Sequence, residues 1–156
     1  AEDTGSAFLA GYVQAQIDAS NLRSLVRTIR MGKSVEFLKA VLMEGGDVET
    51  SAMISVGAAG GTGLTELYAP TRFQSAAEAG AEALRGGSLT EFEKRCDDAV
   101  GDYLAGAQFV PFGEAPLLGY LAARETEYTN IRILLMGRGA GLPADVIRSR
   151  LRAGYV

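Results

Sequence analysis

Apolar side chains recur along this sequence at intervals of three and four, the spacing that gathers them on one side of an α-helix. Leu22, Leu25, Val26 and Ile29 share an arc of a first helix expected over 3–31 and stopped by Gly32. A short helix follows over 34–44, with Phe37, Leu38, Val41 and Leu42 inward and Gly45-Gly46 at its end. Ser75 with Glu78, and Ser88 with Glu91, have the spacing of capping boxes, in which hydroxyl and carboxylate each take a free backbone N–H. They predict helices over 75–85 and 88–107. The first is mostly alanine, so it either packs closely or lies at the surface; the second puts Leu89, Phe92, Cys96, Val100, Tyr103 and Leu104 on one face. After the break "FVPFGEAP", Pro116 suits the first turn of a long helix over 116–137, where a missing N–H forfeits nothing. "GAGLP" turns the chain. Pro143 then opens a last short helix with Val146, Ile147 and Leu151 inward and Arg148, Arg150 and Arg152 near its C-terminal end, where the helix dipole favours cations. Strand signals are poor and hairpin dipeptides absent, so the expected class is all-α.

Two of these helix pairs repeat. Setting Asn21 against Asn130, 109 positions later, needs no gap. Asp18 then meets Glu127, Leu22 meets Ile131, Arg23 meets Arg132, Leu25 meets Leu134 and Gly32 meets Gly141. Phe37 and Leu38 meet Val146 and Ile147, Leu42 meets Leu151, and Gly45 meets Gly154. Each copy is a long helix, a glycine break and a short helix, a bracket that cannot bury its apolar face alone and must stack on neighbours. With two brackets and one intervening stretch, the chain is expected to be a piece of a longer array, lacking material before Ala1.

The 156 residues are 47% apolar with a formal net charge of −4, enough for a core and wrong for a nucleic-acid surface. No apolar run approaches the roughly 20 residues a membrane span needs. The single cysteine, Cys96, excludes an internal disulfide and falls on the apolar side of its helix, as a core thiol would. The absence of histidine closes the Ser-His, Cys-His and His-zinc routes together. "GAAGGTG", residues 57–63, is glycine-rich but lacks the lysine of a phosphate-binding loop, and Glu66 stands where a dinucleotide fingerprint needs its third glycine. A flexible connection between helices is the expectation there, with no cofactor, nucleotide or metal.

The polar positions of the repeat are the candidate site. Asp18 lies within the apolar arc, where a carboxylate has to be paired or hydrogen-bonded. It and Glu127 form either one structural ion pair per copy or an acid/base couple, and the duplication favours structure. Asn21 and Asn130 are the matched amides. Arg23, Arg27 and Arg30 share the face opposite the arc, which suits either solvent or an acidic partner. Arg23 and Arg132, present in both copies, are the better interface candidates.

"IDASNLRSLVRTIRMGKS" and "PLLGYLAARETEYTNIRILLMGRGAGLPADVIRSRLRAGYV" resemble the C subunit of the archaeal and bacterial A/V-type ATPases, called d in the eukaryotic vacuolar enzyme. The resemblance covers essentially the whole chain as the C-terminal part of that protein. It is most specific over 116–156, at Glu127, Asn130, Ile131, Arg132 and the terminal Tyr155-Val156. It implies an all-α funnel of helical units related by threefold pseudosymmetry, with 1–48 completing the middle unit and 49–156 forming the C-terminal one. It further implies a non-catalytic central-stalk part that binds no nucleotide. Its partners would be the other central-stalk subunits and the membrane rotor ring. Through them it would couple ATP turnover in the soluble head to proton or sodium movement, in the cytoplasm and peripheral to the membrane. Arg23 and Arg132 would be candidate lining residues of the funnel. Two other readings compete: a helical adaptor that binds a partner helix, and a small enzyme built on Asp18 and Glu127.

Overall fold

A computed structural model describes residues 5–110 and 112–153. The predicted beginning of the first helix at Asp3, the Gly45–Gly154 match and the terminal Tyr155-Val156 lie outside them. Among the described residues the only regular structure is helical: α1 (Ala7–Arg30), α2 (Val35–Val41), α3 (Thr50–Ala58), α4 (Leu64–Tyr68), α5 (Gln74–Leu84), α6 (Leu89–Ala105), a 3-10 turn (Gly106–Phe109), α7 (Ala115–Gly139) and α8 (Ala144–Arg150). The chain divides into two compact units, with the boundary between Val100 and Gly101.

In the first unit α1 is the spine. Ser6 caps it, its hydroxyl accepting from the Leu9 N–H at 3.0 Å. At the other end the Lys33 N–H reaches the Thr28 carbonyl and the Gly32 N–H reaches that of Ile29, the crossed pair of bonds that ends a helix when the next residue is left-handed. Gly32, at φ 62°, supplies that conformation without the penalty a Cβ would bring. Ala15, Ala19, Leu22, Leu25 and Val26 then form the buried side of α1. Helices α2, α3 and α5 pack on it. Leu25 faces Gly57 of α3, where an added Cβ would come within 3.4 Å of its Cδ1. Val26 faces Gly80 of α5, where an added Cβ would stand 3.0 Å from Val26 Cγ2 and 3.2 Å from Phe92 Cε2. The alanines of α5 therefore do pack closely: Ala76, Ala77, Ala79 and Ala83 are buried. Phe92, Cys96, Val100 and Leu104 form the predicted buried face of α6, with Leu89 and Tyr103 half-buried.

Several expectations need correcting. Helix α2 ends at Val41 rather than near Glu44, because Leu42 is extended and Met43 is tied to α1 by the side chain of Asn21. Phe37, expected inward, is 43% exposed. Ser75 does not cap α5. The helix already begins at Gln74, because buried Phe73 sets its entry: the Phe73 carbonyl takes the Ala77 N–H, and its own N–H donates to Thr71 Oγ1. Ser75 instead accepts a hydrogen bond from Arg95 at 2.6 Å. Ser88 does cap, its hydroxyl accepting from the Glu91 N–H. The glycine-rich stretch belongs partly to α3 and is a hydrogen-bonded turn. The Gly61 N–H reaches the Val56 carbonyl and the Gly60 N–H reaches that of Gly57, a helix terminus rather than a loose connection. Helix α3, rich in small side chains, and the five-residue α4 had no predicted counterpart.

The second unit is built on α7, with the 3-10 turn and α8 against it. Pro116 stands in its first turn as expected. The crossed bonds recur at its end, Leu142 N–H to Gly137 carbonyl and Gly141 N–H to Arg138 carbonyl, with Gly141 at φ 68°. Pro143 caps α8 in an extended conformation. Of the three residues expected inward there, Ile147 is buried, at 5% exposure, while Val146 and Leu151 are half-buried.

Candidate functional site

The repeat is reproduced in backbone detail. Helices α1 and α7 end at equivalent positions, Arg30 and Gly139, and α2 and α8 occupy matching spans of seven residues each. The residue after each short helix is extended: Leu42 at φ −75°, ψ 141° and Leu151 at φ −65°, ψ 142°. What fixes this end is an asparagine. Asn21 Nδ2 donates to the Met43 carbonyl at 2.7 Å, and its Oδ1 accepts from the Met43 N–H at 2.8 Å. Asn130 Nδ2 donates to the Arg152 carbonyl at 3.1 Å, and its Oδ1 accepts from the Arg152 N–H at 2.8 Å. In both copies one amide satisfies the donor and the acceptor of a single backbone residue 22 positions on. Asparagine is suited to this because its side chain carries the same donor and acceptor pair as a peptide group.

The carboxylates part company. Asp18 is buried, and its two oxygens accept from the Asp47 N–H at 2.9 Å and the Val48 N–H at 3.3 Å. Burial pushes its pKa up; those two amides and the Arg72 charge pull it back down, while the Asp47 charge adds to the rise. Glu127 is exposed and pairs with Arg124 one turn away on its own helix. This raises the Arg124 guanidinium, whose charge also lies over the Tyr128 ring, 5.4 Å from its centroid. The expectation of one structural ion pair per copy is therefore corrected: Asp18 holds a loop through backbone amides, and Glu127 makes a surface pair. By the offset, the position matching Asp47 is Val156, outside the described residues.

On the arginine face Arg27 and Arg30 are exposed, as a solvated surface would have them, and Arg23 is half-buried, yet all three have partners within the chain. Arg23 pairs with Asp97, and Arg27 with Glu93, to which its Nε donates at 2.9 Å. Arg30 Nη1 donates to the Gly87 carbonyl at 3.1 Å. The acidic partner lies inside the chain, and the two ladders run in opposite directions. The clue was available: two arginines and two acids each spaced by four, in an order that pairs only if α1 and α6 are antiparallel. Arg132, the counterpart of Arg23, is exposed and has no ionic partner among the described residues.

Cys96 is fully buried, and burial drives its thiol up to about 12, as a core cysteine rather than a reactive one. Tyr68, which pattern alone did not flag, is also fully buried, and its hydroxyl has no hydrogen-bond partner among the described residues. Burial, helped by the Asp18 charge, raises its pKa. Among the described residues no cluster of three or more acidic or sulfur side chains is placed to hold a metal ion. No helix of the described residues is long and apolar enough to cross a membrane.

The chain is 31% identical over 153 residues to the C subunit of the A-type ATP synthase of Halobacterium salinarum, covering 97% of this chain and 43% of that protein. It is 29% identical over 142 residues to the corresponding A-type ATP synthase component of Haloferax volcanii, covering 90% and 40%. To the C subunit of the V-type sodium ATPase of Enterococcus hirae it is 25% identical over 154 residues, covering 99% and 47%. The chain thus spans less than half the length of the relatives it matches. No solved structure matches it. The family model described as ATP synthase (C/AC39) subunit matches residues 1–150, and the chain belongs to that family.

Proposed function

We propose that this chain is part of a non-catalytic central-stalk component of a rotary A/V-type ATPase or ATP synthase. It joins ATP turnover in the soluble head to rotation of the membrane ring, and so to movement of protons or sodium ions. Its partners are the other central-stalk subunits and the ring. It works in the cytoplasm at the membrane surface, as 1–48 of a middle helical unit and 49–156 of a C-terminal one, within a pseudosymmetric funnel.

One observation carries this reading: the repeat duplicates a joint. Asn21 and Asn130 make the same two bonds in both brackets, while the ionisable residues around them differ in burial and partner. Selection for a reaction would hold the acid and base constant; selection for a load-bearing frame holds the joint. Packed helices suit such a part because protein interiors compress little. Asp18 has both oxygens engaged by amides, which suits holding a loop better than exchanging protons with a substrate.

Reconstitution of the full-length parent with its stalk and ring tests the reading. Assembly followed by ATP-driven ion uptake, lost when the parent is omitted, is the expected result. Uptake that proceeds unchanged without it overturns the reading. Arg132→Asp in the same system tests that residue as a contact: unchanged assembly removes it from the interface.

A further inference from the structure

The two brackets differ most in what covers their long helices. On α1, Leu25 is sealed by Gly57 of α3 and Val26 by Gly80 of α5, and both are 0% exposed. Their counterparts on α7, Leu134 and Leu135, are 42% and 68% exposed. The pattern extends along α7: Leu117, Leu121, Tyr128 and Ile131 are exposed on the same side, with Arg124, paired to Glu127 and lying over the Tyr128 ring, between Leu121 and Tyr128. At the edge of the stripe Arg132 stands where Arg23 stands on α1, but Arg23 has Asp97 and Arg132 has no acid among the described residues. A row of exposed large apolar side chains, interrupted only by Arg124, beside a guanidinium with no acid among the described residues marks a binding face rather than ordinary surface.

The first bracket shows what fits such a face. We propose that the Leu117–Leu135 side of α7 docks an α-helical segment with glycine or alanine opposite Leu134 and Leu135 and a carboxylate opposite Arg132, as α3, α5 and α6 provide for α1. Small residues let two helix backbones approach until large side chains of one fill the grooves of the other. The carboxylate fixes register, because a rigid guanidinium rewards one alignment. The inference rests on the repeat alone and stands whether or not the protein drives a ring.

The chain itself supplies a probe: a peptide of residues 74–105, which contains Gly80 and Asp97. In the intact chain that segment already sits on α1, so added peptide finds its vacant counterpart on α7. Labelled peptide titrated into the intact chain, followed by fluorescence polarisation, should bind saturably with one peptide per chain. Leu135→Glu, exposed and so compatible with folding by circular dichroism, should weaken binding by about tenfold or more. Arg132→Asp should weaken it too, and a peptide carrying Asp97→Arg should restore affinity for that variant alone. Absence of saturable binding overturns the proposal, as does equal binding by Leu135→Glu or equal binding of a scrambled peptide. If sedimentation shows the chain alone as a dimer that Leu135→Glu dissociates, the occupant is a second copy and the proposal is wrong.

Discussion

Helix α1 and helix α7 hold the same bracket in opposite surroundings. In both, an asparagine grips a backbone residue beyond the short helix, and a left-handed glycine ends the long helix. In both, one apolar residue of the short helix, Leu38 or Ile147, is buried. Around α1 two further helices, α3 and α5, close over the apolar side, whereas on α7 Leu134 and Leu135 are exposed. The frame of a bracket is therefore set by residues local to it, whereas the burial of its long helix is set by segments elsewhere. A duplicated shape need not carry a duplicated core.

The contrast can be broken by substitution. The largest effect belongs to the sealed side. Leu25→Ala should destabilise the chain by about 2–5 kcal/mol, because it leaves a cavity between α1, α2 and α3. Leu134→Ala at the matching position should change stability by about 0.5 kcal/mol at most. Urea denaturation checks both, and equal losses would mean that the two helices share one kind of environment. Next come the asparagines. Asn21→Ala and Asn130→Ala should each cost about 1 kcal/mol by removing two hydrogen bonds to one backbone residue, with Asn21 the more costly because its side chain is fully buried whereas that of Asn130 is half-buried. Hydrogen exchange at Met43 and Arg152 should report the opening of each joint separately.

Asp18 sharpens the comparison through pH. Because its pKa is raised in the fold, the folded chain binds the proton more tightly than the unfolded one. Its contribution to stability is thus present below the ordinary value of 3.8 and lost as pH rises through the raised one. The stability of the wild type relative to Asp18→Asn should fall over that window and then level off. The smallest effect is ionic. A double-mutant cycle on Arg23 and Asp97 should give about 0.2–1 kcal/mol, reduced by salt, while Arg132→Ala should leave the stability of the lone chain unchanged.

Much of this was legible in the sequence, and the losses have a common cause. Period and glycine placed α1, α5, α6, α7 and α8 within a few residues, because each carries its own stop or start signal. The repeat was visible because its joint depends on local residue identity. What the sequence concealed was tertiary. The early end of α2 is imposed by Asn21 from another helix, and the start of α5 is set by the burial of Phe73 rather than by Ser75. Asp18 and Glu127 occupy equivalent positions, yet only one of them meets amides, and those come from a loop 29 and 30 residues away. Helix α3 escaped because a run of serine, glycine and alanine has weak periodicity while fitting tightly against larger neighbours, and α4 because five residues are too few to show a helical period.

The lone cysteine offers a practical opening. Sealed in α6 and holding its proton well above neutral pH, Cys96 should ignore maleimides and disulfide reagents in the folded protein. A second cysteine engineered on the outside of α7 would then be the one thiol available for a spin label, a fluorophore or a photocrosslinker. Probes could be walked along that helix without first deleting the natural residue.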